Sequence, residues 1–375
     1  MRHIPSGKLE RWLGGNAEHI SRCMNNPAAK WYGPHIYVGS MPRGSAVYAT
    51  RDGDFVGRLN GGDFVSMFEY QVERTKQYLK RLARSQGHSL KAIADFDALI
   101  AAATTPGQRR EFFWQKAGVT SVVNGTTSLF GVGAHPAAGA NAANAPGGAA
   151  PTGSGTTGAI PFAAPGGSLT THITGLFGTG SQGQNSMLLY DRIFHVNKTM
   201  ASTTNESVTG VPTRYQSTTA GAADSAEGNF LMIEVGGTAL AATAHNWNAL
   251  YRDQAGNDAQ TLPQITGNSA AIVRRLDQPL GQWFCPLGSG DTGIADLNEI
   301  DCSASVATGV INFVIGHPLG WIPLGLANAL TVMDGVSSIN SLVRIFDDAA
   351  LALLQPLSVV TTATAYNAHV IAIAG

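Results

Sequence analysis

Four carboxylates crowd one short stretch of the sequence: Asp291, Asp296, Glu299 and Asp301 in GDTGIADLNEIDC. Clustered carboxylates offer oxygen ligands to a hard cation, or an acid and a base for hydrolysis. The spacing here is not that of a calcium loop, so the cluster reads better as a solvated loop, or as partners for basic residues on a neighbour. Asp347 and Asp348 in IFDDAA are adjacent, and adjacent side chains do not face each other on a helix. The ten histidines are scattered, with no i,i+4 pair on a candidate helix. His317, in GHPLGW, reads as a hydrogen-bonded structural residue. Cys23, Cys285 and Cys302 form no CxxC, so neither a zinc site nor a disulfide framework is expected. GxSxG, HExxH, GxxxxGK[ST] and a GxGxxG between strand and helix are all absent. No catalytic residue, metal or cofactor is therefore expected, and the chain reads as a non-enzyme.

The one dense chemical feature left is basic. Arg74, Lys76, Lys80, Arg81 and Arg84 fall late in DFVSMFEYQVERTKQYLKRLARSQG. This stretch reads as one long helix, capped by Asp63 and ended by Gly87, with Phe64, Phe68, Val72, Leu79, Leu82 and Ala83 at helical spacing. Cations in its later turns favour the negative end of the helix dipole. Such a face contacts a polyanion, or is simply solvated or paired with acidic neighbours.

The surrounding elements would position that helix. SGKLERWLGG and AEHISRCMNN read as short helices before it. Trp31 to Asn60 alternates β-formers with turn residues, which suggests a two-stranded ribbon turning at Asp52-Gly53. After it, SLKAIADFDALIAAA places Leu90, Ile93, Asp97 and Ile100 on neighbouring turns behind a Ser89 cap. TPGQRREFFWQKAG has Thr105 at a cap position, Pro106 at the first helical position and Gly118 beyond the end, and reads as a further helix. From Met187 onward strands dominate. NFLMIEVGG is a strand; HNWNALYRDQAGNDAQTLPQI is a hairpin turning at Ala255-Gly256-Asn257; GVINFVIGHPLGWIPL is a strand bent at Gly316 and Pro318. SLVRIFDDAALALLQP fits a helix, or a buried strand followed by a helix. ATAYNAHVIAIAG is a closing strand whose apolar end implies a buried or paired terminus.

Composition bounds the class. In 375 residues only 13% are charged, about half the usual share, while glycine numbers 45. Little surface is spent on solvation, as when other chains cover it; a neutral Ser/Thr/Asn-rich monomer is the plainer alternative. The net charge of −1 hides an asymmetry. Residues 1–118 carry seventeen Lys and Arg against ten Asp and Glu, and residues 119–375 carry seven against fifteen. Between Lys116 and Asp191 lie 74 residues with no Asp, Glu, Lys or Arg. Within them, 24 of the 32 residues from Pro136 to Gly167 are Ala, Gly or Pro. No signal peptide or membrane span is expected, and the reading is of a protein that folds in a reducing cytoplasm.

The order of these features resembles the major capsid protein of tailed bacteriophages, the HK97-type fold. LLYDRIFHVNKTM, GVPTRYQSTTA, GNFLMIEVGGTALAATAHNW and YRDQAGNDAQTLP also resemble capsid proteins of uncultured tailed phages, over Met187 to Gly375. The resemblance implies an α+β fold in four parts. An N-terminal arm covers residues 1–30 and an E-loop-like β-ribbon covers 31–62. Residues 63–186 hold the spine helix, the P-domain helices and the Gly/Ala/Pro-rich extended segment. Residues 187–375 form the mixed α/β part of the P domain and a strand-rich A domain. It implies a structural protein that self-assembles, as hexamers and pentamers, into an icosahedral shell around a dsDNA genome. Cement, scaffolding and portal proteins are the further partners so implied. The location implied is the virion, with assembly in the host bacterial cytoplasm and no membrane. Arg2, Lys8, Arg11, Arg22, Arg74, Lys80 and Arg84 would be non-specific inner-surface DNA contacts. Neighbouring subunits would pin the neutral segment as an extended strand or loop, where charge would be a liability. Another virion part (a tail, fibre or receptor-binding β-module) and a hydrolase remain the alternatives.

Overall fold

The computed structural model describes residues 31–32, 35–41, 45–50, 55–58, 64–66 and 96–375, except 154, 161, 163–168, 217–225, 269–270 and 337–341. The chain divides into two compact units, Met1–His88 and Ser89–Gly375.

Among the described residues of the first unit, five strands follow one another as an antiparallel meander: β1 (Trp31–Tyr32), β2 (His35–Met41), β3 (Ser45–Thr50), β4 (Phe55–Arg58) and β5 (Phe64–Ser66). Among its described residues, the stretch expected to form a two-stranded ribbon thus shows four strands. The β3–β4 pair, with Ala49 opposite Phe55, brackets the Asp52-Gly53 dipeptide.

The second unit contains the one helix among the described residues, α1 (Phe96–Thr104). Eight strands follow in its first half: β6 (Arg109–Val119), β7 (Thr127–Ser128), β8 (Ala134–His135), β9 (Thr171–Gly180), β10 (Asn185–Lys198), β11 (Glu206–Ser207), β12 (Phe230–Val235) and β13 (Asn246–Asp253). Eight more complete it: β14 (Gln260–Thr261), β15 (Ile265–Thr266), β16 (Ile294–Cys302), β17 (Ile311–Leu324), β18 (Thr331–Asp334), β19 (Val343–Ile345), β20 (Leu351–Gln355) and β21 (Thr364–Ala374).

The architecture is therefore nearly all-β, which overturns the α+β, HK97-type expectation. The long helix was expected from Asp63, but Phe64–Ser66 is a strand paired with β4; residues 67–87 of that helix lie outside the described residues, as do the two short helices expected within 1–30. TPGQRREFFWQKAG forms the long strand β6 rather than a helix. Its cap signals are real, but Phe112, Trp114 and Lys116 alternate inward with period two, and pairing along β21 decides the outcome. SLVRIFDDAALALLQP resolves into two strands, β19 and the wholly buried β20.

Three sheets make up this unit. One runs β12-β17-β10-β20-β7, the second β18-β9-β21-β6-β8, and the third β11-β16-β13-β14. The first two share one core: Ile173, Leu176 and Val370 from the second sheet join Met187, Leu189 and Ile322 from the first. Strand β10 is buried along almost its whole length. Leu189 faces the shared core, while Leu188 and Tyr190 point to a second cluster with Phe130, Met232 and Leu276. Each of the two long strands carries a register shift, at Ile193 of β10 and Leu319 of β17, beside the expected bends at Gly316 and Pro318.

The neutral segment covers the second cluster, and its own chain holds it there. The backbone pair Ala149–His195 bonds in both directions, at 2.8 and 2.9 Å, and Ile160 N donates to Leu351 O at 2.9 Å. Gly153 N donates to Asp348 O, and Ala142 N to the Asn312 side chain. Small residues suit this close path: a Cβ on Gly153 would lie 2.6 Å from Phe162 N and 2.7 Å from Ala349 O. The segment starts from a buried lysine. Lys116 Nζ donates to Val132 O (3.0 Å) and Pro136 O (2.9 Å), folding the chain back on β6. The C-terminal end is paired, Gly375 N and O both bonding Thr170.

Candidate functional site

The seven proposed DNA-contact residues, Arg2, Lys8, Arg11, Arg22, Arg74, Lys80 and Arg84, lie outside the described residues, as does Cys23. The acidic candidates are described, and each has a separate task. Asp291 accepts a hydrogen bond from Tyr251 Oη, and Asp296 pairs with Arg252 at 3.6 Å. Glu299 accepts from Asn205 and Asp301 from Asn248. Asp347 and Asp348 sit exposed in the turn after β19. Among the described residues no group of three or more His, Cys, Asp and Glu could hold a metal ion.

Two buried histidines, His317 and His245, spend their polar contacts within the fold. His317 bonds Asn229 Oδ1 through Nδ1 at 2.8 Å and stacks on Tyr215; burial lowers its pKa to about 4, so it is neutral near pH 7. His245 Nε2 contacts Asp277 Oδ2 at 2.7 Å and its Nδ1 contacts Thr243 O at 2.8 Å. A carbonyl at Nδ1 and a carboxyl oxygen at Nε2 both favour the protonated ring. Burial alone would lower its pKa, but the bonds to Asp277 and Thr243 outweigh this and raise it. Asp277 also accepts from Trp247 Nε1 and the Asn268 amide, so the pair ties loops together and has no free nitrogen for catalysis. Burial pushes the Cys285 and Cys302 thiols up, which disfavours the reactive thiolate.

The largest buried charged side chain is one that no sequence motif singles out. Arg192 is fully buried on β10; it donates to Glu234 Oε2 at 2.6 Å, meets His195 Nδ1 at 3.0–3.1 Å and lies over the Phe130 ring at 4.1 Å. Burial, then Arg192, hold the His195 pKa down at about 2, so it stays a neutral acceptor. Asp191 next to it pairs with Arg214 at 2.9 Å. The signal was available: Asp191-Arg192 interrupts an otherwise apolar strand, and buried charges must be paired. With both ends of the network closed inside the core, it organises the sheet and reaches no substrate.

What remains open is the outer face of the second sheet. Alternation along β6 turns Glu111, Phe113 and Gln115 outward. Strand register then aligns Phe113 with His369, His369 with Phe177, and Phe177 with Val332, one residue from each of four strands. Phe113 and His369 stack at 4.4 Å and 8°, and Phe177 and His369 at 5.4 Å and 23°. His369 Nε2 donates to Glu111, which also pairs with Arg109. The next row holds Thr179, Asn367, Gln115 and His135, one each from β9, β21, β6 and β8. Between the rows lies a shallow cavity of about 370 Å³, with Leu330 also in its lining.

No family model, no curated protein and no solved structure matches this chain.

Proposed function

We propose that this chain is a structural protein whose copies assemble with one another into the shell of a virion, a head enclosing a dsDNA genome, with no catalytic role. The reading rests on one surface feature above all. Val123 (44% exposed), Leu280 (52%) and Val359 (51%) project from three loops joined by backbone bonds, Asn124 N to Ser358 O and Gly281 N to Asn124 O. Residues 121–125, 278–282 and 356–361 contain no charged side chain. An uncharged apolar cluster contributed by rigidly linked loops fits burial against another subunit. The low charge of the whole chain supports the same reading, and the basic first third suits a surface tolerating packed phosphates non-specifically. No helix among the described residues is long and apolar enough to cross a membrane.

The nearly all-β architecture favours a second reading, a tail or fibre β-module. Electron microscopy of the purified protein separates the two: closed shells, rings or capsomers support the shell subunit, elongated trimers the fibre. The double variant Leu280→Asp, Val359→Asp should stay folded and lose assembly. A chain that remains a monodisperse monomer at micromolar concentration, under every salt condition tried, would sink both readings.

A further inference from the structure

The four-residue row on the outer sheet face is chemically unusual. Thr179, Asn367, Gln115 and His135 each both donate and accept hydrogen bonds or, as imidazole, do one at each nitrogen. The Thr179 hydroxyl is buried without a hydrogen-bond partner among the described residues. Asn367, Gln115 and His135 are exposed and point into the same cavity. No side chain lining that cavity carries a permanent charge. Across the three strand spacings from β9 to β8 the row is about 14 Å long.

The geometry points to a binding groove for a neutral oligosaccharide, laid across the strands along the Thr179–Asn367–Gln115–His135 row. Sugar hydroxyls also donate and accept, so amide and hydroxyl side chains complement them without excess charge. Phe113, 54% exposed, offers an apolar surface for the C–H face of a pyranose ring. An anionic ligand would find no Lys or Arg in the cavity lining, and a peptide strand seeks the edge of a sheet rather than its face. A cavity of about 370 Å³ lies at the lower end of the sizes that hold small ligands, as a short saccharide requires. The assignment stands apart from the assembly reading, which uses the loops around Val123, Leu280 and Val359.

The test is saturation-transfer NMR and calorimetry on the full chain in its native assembly state. The probes are maltotetraose, cellotetraose and chitotetraose, with sialyllactose as an anionic control. At least one neutral tetrasaccharide should bind and sialyllactose should not. The double variant Asn367→Ala, Gln115→Ala changes only exposed side chains, so it should keep its circular dichroism and assembly state while binding weakens about tenfold or more. Phe113→Ala should weaken binding separately. The assignment is overturned by any of three results: no neutral probe bound at about 10 mM, binding unaffected by the double variant, or variants that fold but no longer assemble. The last would make this face a contact between copies of the chain.

Discussion

At the scale of single residues, the polar chemistry of this protein is turned inward. Arg192 gives its charge to Glu234 and His195, Asp191 to Arg214, and Asp277 to His245. Such groups sit in a core only when each is paired, since a lone buried charge costs far more than a neutral side chain. Two histidines give a measurable consequence. Burial, joined for His172 by Arg344, lowers the pKa values of His172 and His317 from 6.5 to about 4. The folded chain resists their protonation and the unfolded chain does not. Their contribution is therefore fully present above pH 6.5 and is lost as the pH falls towards 4, on the order of 3 kcal/mol each. His245 acts oppositely: its pKa is raised, so its contribution is present below 6.5 and fades only as the pH rises through the folded value. Urea midpoints measured from pH 7 to 4 should fall, and less steeply in His317→Phe, which keeps a ring against Tyr215. An unchanged slope in that variant would show that His317 titrates normally.

At the scale of elements, local signals and long-range pairing compete. The segment 105–118 carries good helix punctuation, yet Arg109–Val119 runs as a strand along β21. The decisive pattern was the alternation of Phe112, Trp114 and Lys116, which buries one face of a sheet; a helix would scatter those side chains around its axis. The Gly/Ala/Pro segment shows the opposite case, an element with almost no local preference. It is fixed by bonds to β10 and to the turn before β20, and glycine is required where backbones meet. Gly153→Ala would press a methyl group on Phe162 N and Ala349 O, and should destabilise by about 1–3 kcal/mol. Thermal unfolding of this variant measures the cost. A neutral result would mean that the segment moves aside freely and does not seal the second core cluster.

At the scale of the whole molecule, function follows from what the surface leaves unpaired. The described core of Ser89–Gly375 contains most of its charged pairs, and exposes uncharged apolar side chains at the Val123–Leu280–Val359 cluster. Contact through such a cluster depends on apolar burial, which salt does not screen, whereas phosphate contacts weaken steeply with salt. Assembly followed by light scattering should therefore persist from about 0.05 to 1 M NaCl, while DNA retention should fall across the same range. Dissociation of the assembled protein at high salt would instead assign the contact to ion pairs.

The sequence by itself determined the strand-rich character after Met187. The strand β12, the closing strand β21 and the turn at Ala255-Gly256-Asn257 all follow from apolar alternation and turn residues, which are local properties. It also marked His317 as a hydrogen-bonded structural residue, because a histidine between glycine and proline in an apolar strand must satisfy its ring inside the fold. Only the tertiary structure decided that β6 is a strand, that the neutral segment is held by its own chain, and that Thr179, Asn367, Gln115 and His135 form one row. Those residues are up to 252 positions apart, the separation of the direct pair Gln115 and Asn367 across β6 and β21. Register between strands distant in sequence places them side by side, and no local spacing encodes a register set by burial of the opposite face.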